Sequence, residues 1–199
     1  MLTFQHLCVI LQDVDISTSC SITLLIITGE QYVYFKKSLL PCFSSGVSFG
    51  TNAREKMLLA SYKAGVAFSK SYVGYIHAIA HSLGGKYGTP HGLANAVIMP
   101  YVLESYKNSA HKKLHKLGIA AKVSVEFDSD REGAQKYTSA IRELNSKLNI
   151  PDKLPDIKEA DIPGLALHAE KEANPLYPVP KLMDARELEA FYYMIGEKL

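Results

Sequence analysis

No apolar run in this chain approaches the roughly 20 residues needed to span a bilayer. The longest candidate, "CSITLLIITG" at 20–29, is too short and carries hydroxyl residues. No Lys or Arg occurs among the first twenty residues, so the basic start of a secretory signal is missing. Surplus charge of one sign is small: 22 Lys and Arg stand against 20 Asp and Glu, a formal net charge of +2. The basic residues are scattered rather than striped, which gives nucleic acid no footing. Cysteine is scarce. Cys8, Cys20 and Cys42 are odd in number and irregular in spacing, which argues against a disulfide framework and fits a reducing compartment. These absences lead to the expectation of a cytoplasmic protein with neither membrane nor nucleic-acid partners.

What is present suffices for an ordinary core. The 199 residues are 47% hydrophobic and 21% charged, a globular composition for one or two domains. Character changes near residue 50. Before it, "HLCVIL", "SITLLIIT" and "QYVYF" are short apolar or β-branched runs that read as strands, followed by a Gly- and Ser-rich linker, "PCFSSGVSFGTN". After it the pattern is helical. "TNAREKMLLASYKAGVAFSK" opens with a cap at Thr51 or Asn52 and spaces Met57, Ala60, Ala64 and Phe68 along one face.

A second helix is predicted from Val73 to Leu83, ended by Gly84-Gly85. A third starts at Pro90 and carries Pro100 as a kink. Both are apolar on nearly all sides, as central helices of a bundle are. "AHKKLHKLGIA", "DREGAQKYTSAIRELNSKLNI", "KEADIPGLALHAEKEA" and "DARELEAFYYMIGEKL" supply the remaining helices.

The segment "GYIHAIAHSLGGKYGTPHGLANA", residues 74–96, holds three of the seven histidines. On a helix His77 and His81 project to one face about one 5.4 Å turn apart, and neutral imidazoles so placed suit zinc, iron or nickel. His111 and His115 share that spacing but sit among lysines, which reads as a solvated face. The His77 pair instead lies among Ile76, Ala78, Ile79, Ala80 and Leu83, and buried imidazole needs a hydrogen-bond partner or a metal. His91 opens the next helix, whose positive end disfavours imidazolium. Simple packing of all three rings is the competing reading.

These same residues, in "AGVAFSKSYVGYIHAIAHSLGGKYGTPHGLANAVIMPYV", resemble the signature of the iron-containing (group III) alcohol dehydrogenases. The likeness extends over roughly residues 35 to 197, through "LNIPDKLPDIKEADIPGLALHA" and "EANPLYPVPKLMDARELEAFY". It implies a mainly α fold: a helical bundle like the dehydroquinate synthase-like C-terminal domain of those enzymes, preceded by a short irregular or β-rich segment. Residues 1–50 are then an atypical N-terminal segment and linker, and 51–199 an all-helical metal-binding domain.

The resemblance implies that His77 and His91 are ligands of a catalytic Fe(2+) or Zn(2+), and that His81 is a catalytic residue relaying protons beside the metal and the nicotinamide of NAD(P). It assigns Asn95 no role; helix packing is the expectation there. The substrate class it implies is a small alcohol or aldehyde. Two family features have no counterpart. The other two ligands are an Asp and a His four residues later, yet no Asp here has a His at that position. A Gly-Gly-Gly-Ser dinucleotide loop is also missing. The chain is therefore expected to be inactive alone, and to self-associate or meet a separate dinucleotide-binding chain. The alternative is a helical pseudoenzyme or scaffold that binds metal weakly at most.

Overall fold

The structure, a computed structural model, describes residues 72–197. The strands expected before residue 50 and the helix expected over 51–70 lie outside the described residues. Within them, six α-helices follow one another: α1 (Tyr75–Tyr87), α2 (His91–Ser105), α3 (His111–Ala120), α4 (Asp130–Lys147), α5 (Ile162–Ala173) and α6 (Ala185–Ile195). Short 3-10 turns occupy Lys107–Ser109 and Glu159–Asp161. No strand occurs among the described residues; an isolated parallel bridge joins Leu154 to Gly196. No helix among them is long and apolar enough to cross a membrane. The mainly α bundle expected from the sequence is what forms.

Helix α1 packs against both α2 and α5, α6 against α5 and α2, and α4 against α2 from the other side, with α3 laid along α4. Helix α2 thus has neighbours on most of its circumference. Ala94 through Pro100 are all buried, as are Val102 and Leu103. Burying side chains such as Ile98 and Val102, or Ile79 and Leu83 of α1, contributes on the order of 1.5–3 kcal/mol each. This is why neither helix shows a polar stripe. Helix α4, at the outside, does: Ala134, Tyr137, Thr138, Ile141, Leu144 and Asn145 form its buried face. Its first turn is held by a capping box in which Ser129 Oγ accepts the Glu132 amide and Glu132 accepts the Ser129 amide.

Helix α1 does not end at Gly84-Gly85, as the sequence suggests. It continues to Tyr87 and stops at Gly88, whose φ of 67° is the left-handed cap that glycine adopts without strain. The Gly88 amide donates to the Gly84 carbonyl at 2.9 Å. Interior glycine costs about 1 kcal/mol relative to alanine. The extra turn offsets that by anchoring twice on Asp161, through Lys86 at 3.1 Å and the Tyr87 hydroxyl at 2.8 Å. Helix α2 likewise runs without a break through Pro100. Proline offers no N–H to the carbonyl of Ala96, four residues back. The buried Asn145 of α4 fills the gap, donating its side-chain amide to that oxygen at 2.9 Å.

The end of the bundle is tied to its beginning. Tyr75, fully buried, donates its hydroxyl to the Asn174 side-chain oxygen and accepts the Met183 amide at 2.8 Å. Ser82 meets the Tyr192 hydroxyl at 2.6 Å, and Tyr192 in turn donates to the Leu165 carbonyl at 3.1 Å. Two separate sets of hydroxyl contacts therefore tie α1 to α5, to α6 and to the segment between them.

His115 corrects the sequence reading, which places it on a solvated face. It is 6% exposed. Its ring lies directly over Gly133 of α4, where a Cβ would stand 2.0 Å from the His115 Cδ2 atom. Nδ1 faces the Asp130 carboxylate at 3.1 Å and Nε2 the Val125 carbonyl at 2.9 Å. With an acceptor at each nitrogen, the doubly protonated ring satisfies both. The pKa accordingly rises above its ordinary 6.5, chiefly through the Val125 carbonyl and then Asp130, against the opposing effect of burial.

Two outcomes are expected. Gly133→Ala should lower unfolding stability by about 1–3 kcal/mol or more, because the ring must be displaced; urea denaturation of the full chain reads this directly. Since the folded pKa of His115 lies above the unfolded one, its stabilisation is whole below about pH 6.5 and is lost as pH rises through the folded value. The stability gap between wild type and His115→Gln should therefore shrink steadily on going from about pH 6 to about pH 9. A gap independent of pH would contradict the charged clamp.

Candidate metal centre

Helices α1 and α2 meet at the Gly88-Thr89-Pro90 turn, and this turn brings the three histidines together. His77 and His81 follow one another on α1 by one helical turn. His91 is the first residue of α2, placed by Pro90 with φ −55° and ψ 123° just before it. The ring centroids lie 5.7 Å apart for His77–His81, 5.1 Å for His77–His91 and 5.1 Å for His81–His91. His81 and His91 stack nearly parallel, at 18°, whereas His77 stands edge-on to both. All three residues singled out in the sequence thus occupy one corner of the bundle.

Their environments differ sharply. His77 is 5% exposed, and its Nε2 is buried with no hydrogen-bond partner. Burial, with the neighbouring His91 and His81 rings adding to it, holds its pKa well below 6.5, so the ring is neutral and keeps a lone pair. An orphaned buried imidazole nitrogen of this kind costs free energy unless something binds it. The 5.1 Å between His77 and His91 is close to the roughly 5 Å expected for two imidazoles on one tetrahedral ion with metal–nitrogen bonds of about 2.0–2.1 Å. The donor chemistry of the pair, neutral imidazole with an orphaned nitrogen on His77, is compatible with a divalent metal. The pair is a partial donor set: among the described residues no group of three or more His, Cys, Asp or Glu side chains is arranged to hold an ion.

His81 is the outward member, with 42% of its side chain exposed. Its Nδ1 lies 2.7 Å from Oε1 of Glu172 on α5, and the Tyr177 hydroxyl donates to the same oxygen at 2.8 Å. Burial opposes ionisation of Glu172, but hydrogen bonds from His81 and Tyr177, with the nearby His81 and His168 rings, outweigh it and set its pKa below the usual value. Burial, then the carboxylate, pushes the Tyr177 phenol upward, so it remains a donor. Neither Glu172 nor Tyr177 stands out in the sequence. The available signal is that Glu172 follows His168 by four residues, on one face of α5; nothing local pairs it with His81.

His81 also borders a cleft of about 480 Å³ between α1 and α5, whose other walls include Ser82, Gly85, Lys86, Gly164 and His168. Asn95 lies away from solvent, its amide donating to the His91 carbonyl at 2.8 Å while its Oδ1 is buried without a partner. It braces the first turn of α2, as packing alone would require.

The chain spans well under half the length of the curated relatives it matches. It is 37% identical over 150 residues to 1,3-propanediol dehydrogenase of Klebsiella pneumoniae, covering 73% of this chain and 38% of that one. It is also 37% identical over 117 residues to lactaldehyde reductase of Escherichia coli K12, covering 58% and 31%. Among solved structures it superposes on a 1,3-propanediol oxidoreductase with a TM-score of 0.71 and 30% identity, over 89% of this chain and 44% of the other. An alcohol dehydrogenase from Oenococcus oeni gives 0.72 and 26%, over 90% and 44%. The family model described as "Fe-containing alcohol dehydrogenase family, C-terminal" matches residues 46–195, and with that the chain, built on the same helices, belongs to the iron-containing alcohol dehydrogenase family.

Proposed function

We propose that this chain is the metal-facing helical part of an oxidoreductase interconverting a small alcohol and its aldehyde with NAD(P). The observation that carries the reading is the unpartnered, buried Nε2 of His77 at a corner where His91 and His81 converge. His77 and His91 would hold a divalent ion, iron or zinc, whose chemistry there is that of a Lewis acid toward an alcohol or aldehyde oxygen. Hydride exchange belongs to the nicotinamide, for which no site is recognised among the described residues.

The chain's own residues do the rest. Burial keeps His77 neutral and able to ligate. The Gly88-Thr89-Pro90 turn places His91 against it. His81, half in solvent, accepts the hydroxyl proton of an alcohol in the cleft and hands it outward, and the Glu172 carboxylate stabilises the imidazolium that forms. In the aldehyde direction the same ring returns the proton. The apolar wall of α1 and α2 keeps water from the inner side of the pair.

Two imidazoles without further protein ligands bind a divalent ion weakly. A partner chain, or a second copy of this one, would complete the site. The alternative reading, a helical scaffold whose histidines only pack, draws on the lack of a closed donor set among the described residues.

Titration of the full chain with zinc or iron(II) separates the two. Binding should be weak, and His77→Ala and His91→Ala should each weaken it at least about tenfold. Equal metal uptake by all three proteins would favour the scaffold. A coupled NAD(H) assay with short alcohols and added metal should show no turnover by the pure chain. Clear turnover would mean that the site is completed by means this reading lacks.

A further inference from the structure

His81 differs from its two neighbours in that a carboxylate holds one of its nitrogens. Glu172 reaches across from α5 to within 2.7 Å of Nδ1. That oxygen also receives the Tyr177 hydroxyl at 2.8 Å, so a donor from α1 and one from the segment after α5 converge on one atom. An ionised carboxylate only accepts hydrogen bonds. The proton on the His81–Glu172 contact must therefore sit on Nδ1. Nε2, across the ring, then carries the lone pair. Glu172 has 21% of its side chain exposed, enough shelter for one arrangement to dominate.

We infer that Glu172, steadied by Tyr177, is a positioning residue that fixes the neutral His81 ring with its proton on Nδ1 and its Nε2 bare on the edge away from Glu172. The tautomer matters because it decides which edge of the ring can accept a proton. Were Nε2 protonated, the free lone pair would face the carboxylate, a repulsive contact, and the outward edge could only donate. With Nε2 bare, transfer balances simply. When a hydroxyl is brought to that edge its O–H bond breaks, the electron pair stays on oxygen, an N–H bond forms at Nε2, and the positive charge on the ring is met by the carboxylate already bonded at Nδ1. No oxidant or further reactant enters this step. The ring's stacking on His91 at 18° and 5.1 Å holds its plane while Glu172 sets its rotation within that plane.

The role of this proton path rests on the proposed function. The tautomer itself does not, and it can be read without metal or substrate. The full chain labelled with 15N-histidine, metal-free and at about pH 8.5, well above the ordinary imidazole pKa, gives separate ring-nitrogen signals for each histidine. Those of His81 are identified by their loss in His81→Gln. The expected result is a dominant His81 form protonated on Nδ1 and bare on Nε2. In Glu172→Met the dominant form should switch to the Nε2–H tautomer that free imidazole favours. Glu172→Gln, whose amide oxygen still accepts, should keep the Nδ1–H form in smaller excess.

The other histidine signals report whether each variant is folded. A wild-type chain with His81 mainly protonated on Nε2 overturns the inference, and so does a folded Glu172→Met with an unchanged tautomer. Should Glu172→Met not fold, wild type and Glu172→Gln decide. The zinc titrations on His77 and His91 probe the metal pair separately, so either result can fail while the other stands.

Discussion

Three side chains of α1 hold the far end of the described chain and set how α1, with the histidine corner it carries, lies against α5 and α6. Tyr75 reaches Asn174 and Met183, Ser82 reaches Tyr192, and His81 reaches Glu172. Each contact joins residues about a hundred positions apart, and those of Tyr75 with Met183 and of Ser82 with Tyr192 are buried. Buried polar groups of this kind contribute modestly when paired and cost more when a partner is lost. They act less as a source of stability than as a register. Apolar packing alone would allow α1 to slide or roll on α5, whereas these hydroxyls accept one alignment.

That alignment produces a gradient across a single helical turn. His77 faces the packed interior and loses its proton; His81 faces the cleft and gains a carboxylate. Two residues of the same type, four positions apart, are thereby given different chemistry by what lies on either side of α1. His115 shows the opposite solution on α3. There Gly133 makes room for a buried ring, and acceptors at both nitrogens favour its charged form. Burial by itself therefore does not decide a histidine's charge; the acceptors around it do.

Much of this is written locally and some of it is not. The apolar character of α1 and α2 and the spacing of His77, His81 and His91 are both visible as short-range patterns. The resemblance carried by that spacing leads to the family that the comparisons then establish. Gly84-Gly85 misleads because the left-handed cap falls at Gly88 and the turn before it is held by Asp161, more than seventy residues away. His115 misleads for a similar reason: the flanking lysines speak of solvent, while the glycine that admits its ring lies on another helix. Glu172 and Tyr177 are invisible until α5 is placed beside α1. In each case the deciding partner is distant in sequence, where periodicity carries no information.

The long reach of α1 has a consequence for the order of events during synthesis. The partners of His81, Tyr75 and Ser82 follow them by 91, 99 and 110 residues. Helices α1 to α4 can gather as they leave the ribosome, since their mutual contacts are nearer along the chain. The contacts of Tyr75, Ser82 and His81 must wait for α5 and the segment after it, whereas the three imidazoles meet within α1 and α2. Until then His81 lacks its carboxylate, and Tyr75 and Ser82 lack their partners. The contacts that set how α1 lies on α5 and α6 are thus among the last that synthesis makes available.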